Sequence, residues 1–467
     1  MTAALPPLLQ HRYQRVGAPG TAFPTLEAAI DVIQPSVDDL DPVAVIGYLS
    51  RPFAPLPPRT FFRNIEVVAP SAEQVDEAFA DLTTKNIRSI KPDTRLSLDD
   101  ARDQLLTLLV EVAASYVDRP TALTLSAGMD SSSLLAALSV SGAEVLAIAW
   151  SAPSVPSADE TPWARQTASR LGYRLIEQVV DPDTMLPEQG IVSRRPRPNY
   201  NIFTPLWHET ARIAADNGRQ QLLTGFSGDH LVGLRISPAA DLLCSLRLVK
   251  LWTYSQTARP RHRNWRHYVR REMVSPLARQ HLTTTWSRRQ TPVSWLHPAR
   301  HDAWQELQRE TVYPGVKPGA TQRVGAFTSG LIPSLAEELA ATANQHGVDV
   351  AHPLLDGRLI EFALSLPTWL LNDGRTEKLV LRAAMRHLLP DDVLKLRVIL
   401  PREIALRALR ARQDALMELT NGMRAAELGF ISEDVFRAEA AAFMRGEHDN
   451  TGVWQGLTLE SWLRQWT

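Results

Sequence analysis

From residue 121 onward the chain alternates short apolar runs with helical stretches, and few folds accommodate that order. "TALTL" (121–125) precedes a helical stretch at 131–141 that stops at Gly142. "VLAIAW" (145–150) precedes "ETPWARQTASRLG", which closes at Gly172. "RLIEQVV" then leads through a proline-rich loop to "LWHETARIAADNG" and "QLLTG" (221–225). Strand–helix units of this length build a parallel sheet with right-handed crossovers, so the predicted class is α/β, a doubly wound sheet. Ligands of such sheets bind beyond the carboxyl ends of the strands. Past residue 235 the pattern is largely helical, with "RLIEFALSLP" and "EKLVLRAAMRHLL" the clearest segments. Before about residue 95, scattered proline and short apolar stretches such as "PVAVIGYL" predict a small β-rich or irregular unit. The expected organisation is therefore 1–95 followed by 96–467.

Composition narrows the function classes. With 467 residues, 44% hydrophobic and 22% charged, the chain has ample material for a large core. Fifty Lys and Arg against 51 Asp and Glu give a net charge of −1, which argues against a polyanion partner for the chain as a whole. Cys244 is the single cysteine, so no intramolecular disulfide forms. A signal-like N-terminus and an apolar run of about 18 residues are both missing, which points to the cytoplasm and away from membranes.

The stretch "LTLSAGMDSSSLLAAL" (123–138) carries the strongest chemical signal. Its loop leaves the first strand and delivers Ser131, Ser132 and Ser133 to a helix N-terminus, where free N–H groups and the positive dipole end attract an anion. Ser126, Ala127 and Gly128 are small enough for the backbone to approach a phosphate. Asp130 would repel that phosphate unless a divalent cation lies between them, as Mg²⁺ does when carboxylates and phosphate oxygens share it. An ordinary serine-capped helix is the plain alternative. A hundred residues later "LLTGFSGDHLVG" repeats the logic, with Gly225, Ser227 and Gly228 after an apolar strand and Asp229 in the position that Asp130 holds in the first loop. Asp130 and Asp229 are the expected metal ligands, a pair of Asx turns being the alternative.

"LSAGMDSS" resembles the "SGGxDS" pyrophosphate loop of the N-type ATP pyrophosphatases. "TGFSGDHLVG", "HPLLDGRLIEFALSLP" and "GRTEKLVLRAAMRHLLPDDV" resemble the synthetase domain of the asparagine synthetase superfamily, over roughly residues 100 to 400. The resemblance implies an adenine nucleotide α-hydrolase-like sheet, ATP and Mg²⁺ as cofactors, and nucleotide contacts from Ser126, Gly128, Asp130, Ser131, Ser132, Gly225, Phe226, Ser227 and Gly228. Residues 57–68 faintly resemble the end of the superfamily's glutaminase domain, so 1–95 reads as a shortened remnant. The chain begins Met1-Thr2-Ala3 with no cysteine nucleophile, and glutamine hydrolysis is not expected. Where asparagine synthetase has a glutamate and β-lactam synthetases a tyrosine, this chain has Phe226, which cannot transfer a proton.

The branch it resembles most is the lasso peptide cyclase, on the "GDH" form of the second loop, on "HPLLD" and on the tryptophan-rich "VWQGLTLESWLR" (453–464). That resemblance implies adenylation of an Asp or Glu side chain in a precursor peptide, loss of pyrophosphate, and ring closure by the peptide's N-terminal amine. The implied partners are the precursor peptide, a leader-peptide protease and a leader-recognition protein, with neither nucleic acid nor membrane. A small-molecule amide ligase and a non-catalytic scaffold are the other readings. Lys378 matches one family lysine that reaches the active site, the alternative being a solvated helix-face lysine. A second family lysine has no counterpart near Val398 or Ile399, leaving Lys395 or Arg397 to substitute. Asp356, Arg358 and Glu361 match a stretch bordering the substrate side, where Arg358 and Glu361, three apart, also suit a mutual ion pair. Asp159 and Glu160 read as the cap of the next helix rather than as nucleotide ligands. Between 247 and 289, eleven Arg and Lys residues with interleaved Trp and Tyr face one acid, Glu272, a pattern that suits a solvated helical surface or, under the cyclase resemblance, a peptide or partner surface around Arg263 and Arg266.

Overall fold

The chain is known from a computed structural model that describes residues 9, 11–17, 22–50, 59–68, 86–185, 196–199, 201–233, 237–258, 260, 263–277, 292–310, 323–324, 327, 331–396 and 402–466. Near the N-terminus β1 (Arg12–Arg15) and β2 (Ile65–Val68) pair antiparallel. The apolar stretch "PVAVIGYL", expected in a β-rich unit, is instead helix α1 (Pro42–Ser50). Pro42 begins it where a missing N–H costs nothing, and Asp41 accepts from Val43 N at 2.8 Å. Residues 43 to 49 are all buried, so this helix has no polar face whose period could have announced it.

The parallel sheet expected from the sequence follows, with one strand more than the four that the sequence announced. Strands β3 (Thr121–Thr124), β4 (Val145–Ser151), β5 (Leu175–Val179), β6 (Gln221–Leu223) and β7 (Asp349–Ala351) are arranged β5-β4-β3-β6-β7. Leu123 of β3 pairs with Ala147 on one side and Leu223 on the other. From β3 the chain winds outward through β4 and β5, then returns to β6 on the opposite side. The crevice of the sheet therefore opens where the connections leaving β3 and β6 diverge. Four helices flank these strands: α2 (Leu98–Ser115) precedes β3, α3 (Met129–Ser141) follows it, α4 (Thr161–Leu171) follows β4, and α5 (Thr204–Asp216) precedes β6. Gly142 and Gly172 end α3 and α4 in left-handed geometry, as their placement in the sequence anticipated. The short edge strand β7 had no signal of its own, being three residues in front of "HPLLD".

Two further helices belong to the site, α6 (Gly357–Ser365) and α7 (Leu379–Met385). The tryptophan-rich tail forms α8 (Gly452–Leu463) and has a structural task. It lies in a second hydrophobic core that also contains Tyr13, Tyr48, Phe61 and Phe62. Trp462 packs 5.5 Å from the Phe61 ring, and Tyr48 OH donates to Asn199 O at 2.7 Å while sharing a hydrogen bond with Thr458. Glu460, fully buried on α8, accepts from Arg424 N and Ala425 N at 2.9 Å each and from Arg464 Nε at 2.6 Å. Removing that carboxylate leaves the Arg424 and Ala425 N–H groups without their acceptor, while Arg464 keeps the carbonyls of Leu419 and Asn421. Glu460→Ala is expected to cost about 3 kcal/mol, read from urea unfolding.

Candidate active site

The first loop, Ser126–Gly128, connects β3 to α3, and its hydroxyls are spent on holding its own shape. Ser131 Oγ accepts from Ser126 N at 3.0 Å and lies 2.9 Å from Ser126 Oγ, which in turn accepts from Gly128 N at 3.1 Å. Ser132 Oγ reaches back to Ser126 O at 3.4 Å. The side chains of Ser131 and Ser132 thus brace the loop from behind. What faces the cleft is Ser126, Ala127, Gly128, Met129 and Asp130. Ala127 does not fall among the described residues with positive φ, so alanine is accommodated where the family's loop has glycine.

The second loop, Gly225–Gly228, follows β6 and packs directly on the first. A Cβ on Gly225 would come within 2.7 Å of Ser131 N, and one on Gly228 would overlap the Asp130 carboxyl. Glycine at these two places is therefore what lets the strand ends approach. Ser227 adopts φ 72° and accepts or donates at 3.0 Å with His230 Nδ1, ahead of a single π-turn at Asp229–Gly233. Phe226 stands beside the neutral His352, whose ring centroid lies 5.1 Å away and which burial holds down to about 4. Thr224 Oγ1 bonds His352 Nδ1 at 2.7 Å, so the surroundings of Phe226 on this side carry no charge.

Lys378 joins the two loops. Its Nζ lies 2.7 Å from Asp130 Oδ1, 2.8 Å from Asp130 Oδ2 and 2.7 Å from Asp229 Oδ1. The lysine side chain is 7% exposed, which excludes a solvated helix face. Lys378 is also left-handed, at φ 55°, immediately before α7. Such backbone costs on the order of 1–3 kcal/mol and persists where the surroundings over-determine it. Burial pushes the Asp130 carboxyl up, with Asp229 adding and Lys378 opposing. Burial works against the Lys378 ammonium too, but the two aspartates hold it above the ordinary lysine value.

These groups line a cleft of about 290 Å³ that continues to Trp150, Ala152, Ala158 and Ile404. Two members were not expected. Arg382, one turn beyond Lys378 on α7, adds a second cation to the wall, donating from Nε to Glu377 O at 2.9 Å and from Nη2 to Leu396 O at 3.2 Å. The i,i+4 spacing of Lys378 and Arg382 was the available signal. Glu160 lines the cleft rather than capping α4, and accepts from Ala127 N at 3.3 Å. Asp159 alone makes the expected cap, to Thr161 N at 3.1 Å.

Other expected residues lie elsewhere. Asp356 is 1% exposed and caps α6 through Arg358 N at 3.0 Å, while Arg358 grips both its oxygens at 2.9 Å. Arg358 therefore pairs with the cap two residues before it and not with Glu361, because the fixed carboxylate at the helix start is the nearer acceptor. Lys395 is exposed and pairs with Asp391 at 3.3 Å, and does not line the cleft. Arg397, Val398 and Ile399 fall outside the described residues, as do Arg259, Arg261, Arg279, Arg288 and Arg289 of the basic stretch. Within that stretch Arg247 stacks 4.9 Å over Trp369, and Arg263 and Arg266 are exposed.

Asp130 and Asp229 suit Mg²⁺, which takes one or two carboxylates together with waters and phosphate oxygens. Both already reach a single cation, the Lys378 ammonium. Among the described residues no three His, Cys, Asp or Glu side chains converge as a complete protein cage. Gly228→Ala is expected to push Asp130 out of line, lower stability by about 1–3 kcal/mol and weaken nucleotide binding, as measured by thermal denaturation and calorimetric titration.

No described helix is long and apolar enough to cross a membrane. No curated protein matches the chain. Among solved structures, NMN synthetase from Francisella tularensis matches with a TM-score of 0.19 and 14% identity, over 27% of this chain and 54% of that one. The match thus spans about half of that protein's length, and at this level it decides nothing about activity. The asparagine synthase family profile matches residues 104–464, which takes in both loops, the lysine and α8. The chain belongs to the asparagine synthase family, whose members use ATP to form amides.

Proposed function

We propose that this chain is a macrolactam synthetase of the lasso peptide cyclase type. It would adenylate the side chain of an Asp or Glu in a precursor peptide, release pyrophosphate, and join the activated carbonyl to the peptide's N-terminal amine. The observation that carries the reading is the pairing of a charged clamp with an apolar neighbour. Lys378, Asp130 and Asp229 gather where a leaving pyrophosphate needs charge, while Phe226 lies against a neutral His352 where relatives hold a proton-transfer group. Asp130 and Asp229 would hold Mg²⁺, which when bound neutralises charge on the phosphate oxygens. The start of α3, at Met129 and Asp130, would present free backbone N–H groups to the phosphates, and Lys378 and Arg382 would supply fixed positive charge without reorganising.

With no acid or base at position 226, the chain contributes to aminolysis by holding the amine against the carbonyl. Intramolecular placement of that kind is worth roughly 7–11 kcal/mol. A folded peptide can bring its own amine to the site, whereas a small free amine would benefit more from a base. The buried, well-packed lysine clamp also speaks for an active enzyme rather than a scaffold. The precursor would arrive freed of its leader by a protease, with a leader-recognition protein as a further partner.

Exchange of labelled pyrophosphate into ATP tests the reading. Incorporation that depends on a precursor peptide with an internal Asp or Glu, together with a product lighter by one water, is the expected result. Exchange driven only by free amino acids would make the chain a small-molecule ligase. No exchange with any carboxylate would make it a scaffold. Lys378→Met is expected to lower exchange by about 10²–10³-fold, as loss of a preorganised charge does in comparable sites.

A further inference from the structure

Glu160 is the cleft residue that adenylation leaves without a task. It opens α4 but caps nothing, since Asp159 receives both Thr161 N and Ala152 N at 3.1 Å. Its side chain turns instead to the first loop, where Oε2 accepts the Ala127 N–H at 3.3 Å. That amide belongs to the surface a phosphate would meet. Asp130 and Asp229 line the same cleft, so the chain places three carboxyl groups around a site for a polyanion.

The surrounding charges leave Glu160 unsupported among the described residues. Lys378 is committed to the two aspartates, Arg382 to backbone carbonyls, and Arg165 to Glu177. Glu403, next to Ile404 of the cleft wall, is taken by Ser157. His230 beyond the second loop and His352 below it are both held towards their neutral forms by burial. Burial, with Asp159 adding and the Ala127 N–H opposing, pushes the Glu160 carboxyl up to about 7.

A nucleotide brings further negative charge to this carboxyl. As a carboxylate Glu160 repels phosphate oxygens and occupies the Ala127 amide. As an acid it donates a hydrogen bond to the nucleotide and frees that amide for a phosphate. We propose that Glu160 contacts the bound nucleotide as a neutral acid, so that the cleft takes up a proton from solvent as the nucleotide enters. The only bond formed is the O–H of the carboxyl. The inference rests on the cleft being the ATP site, and it is independent of the peptide substrate.

The test is calorimetric titration of the full chain with ATP, magnesium in excess and no peptide, in buffers of differing ionisation enthalpy. Between about pH 7 and about pH 8.5 the wild type is expected to take up a large fraction of a proton per nucleotide, with Kd rising towards tenfold per pH unit. Glu160→Gln keeps the shape and the hydrogen-bond donor without the charge. It is expected to bind at least as tightly as wild type at the alkaline end, with no proton uptake and a flat profile. ATP binding by the wild type without proton uptake overturns the proposal, and that arm needs no variant to fold. Uptake that persists in Glu160→Gln, or a variant weaker than wild type at every pH, also overturns it and makes Glu160 a structural brace for the loop. Absence of ATP binding removes the proposal together with the ATP reading, whereas absence of a cyclic product leaves it standing.

Discussion

One ammonium group lies between two carboxylates that the chain places 99 residues apart, and most of the site follows from that contact. Lys378 reaches Asp130 and Asp229 only because β3 and β6 are neighbours in the sheet and their loops pack against each other. Any side chain on Gly225 or Gly228 would hold those loops apart. Two residues accept left-handed backbone at the same place, Ser227 and Lys378. Strain, glycine and buried charge thus coincide where three segments meet, the combination expected when a site is built against local preference.

The clamp is rigid because what surrounds it is either packed or hydrogen-bonded. Ser126, Ser131 and Ser132 tie the first loop to the start of α3, and Arg382 ties α7 to the carbonyls of Glu377 and Leu396. At the second loop Phe226, His352 and Thr224 pack together without adding charge. Such surroundings limit the chemistry that position 226 can take part in. Phe226 carries no acid or base, and His352 beside it is held towards its neutral form by burial and is bonded to Thr224. On the proposed reading, catalysis on this scaffold leans on electrostatics and proximity.

Farther out, α8 joins the beginning of the chain to its end. Tyr48, Phe61 and Phe62 pack with Trp462, and Glu460 satisfies the backbone of a neighbouring helix. The tryptophan-rich tail, which in the sequence looked like a family mark only, is core material. The resemblance, rather than a polar–apolar period, marked it as a helix, because nearly every residue of α8 is buried, as in α1. A helix surrounded on all sides loses the polar face by which sequence patterns are recognised.

The first four strands of the sheet, the loop positions and the pair of aspartates were legible in the sequence, because each depends on residues close together along the chain: an apolar run, small residues after it, a carboxylate at a fixed offset. Lys378 was legible through resemblance. The sequence alone did not decide the direction of side chains. Ser131 and Ser132 turned inward to brace their loop, Asp356 became a buried cap gripped by Arg358, and Glu160 and Arg382 turned into the cleft. A serine or a carboxylate at a helix start has two uses, binding a ligand or satisfying the backbone. Which one it takes depends on the partners that neighbouring elements bring within about 3 Å, and only the tertiary packing supplies those.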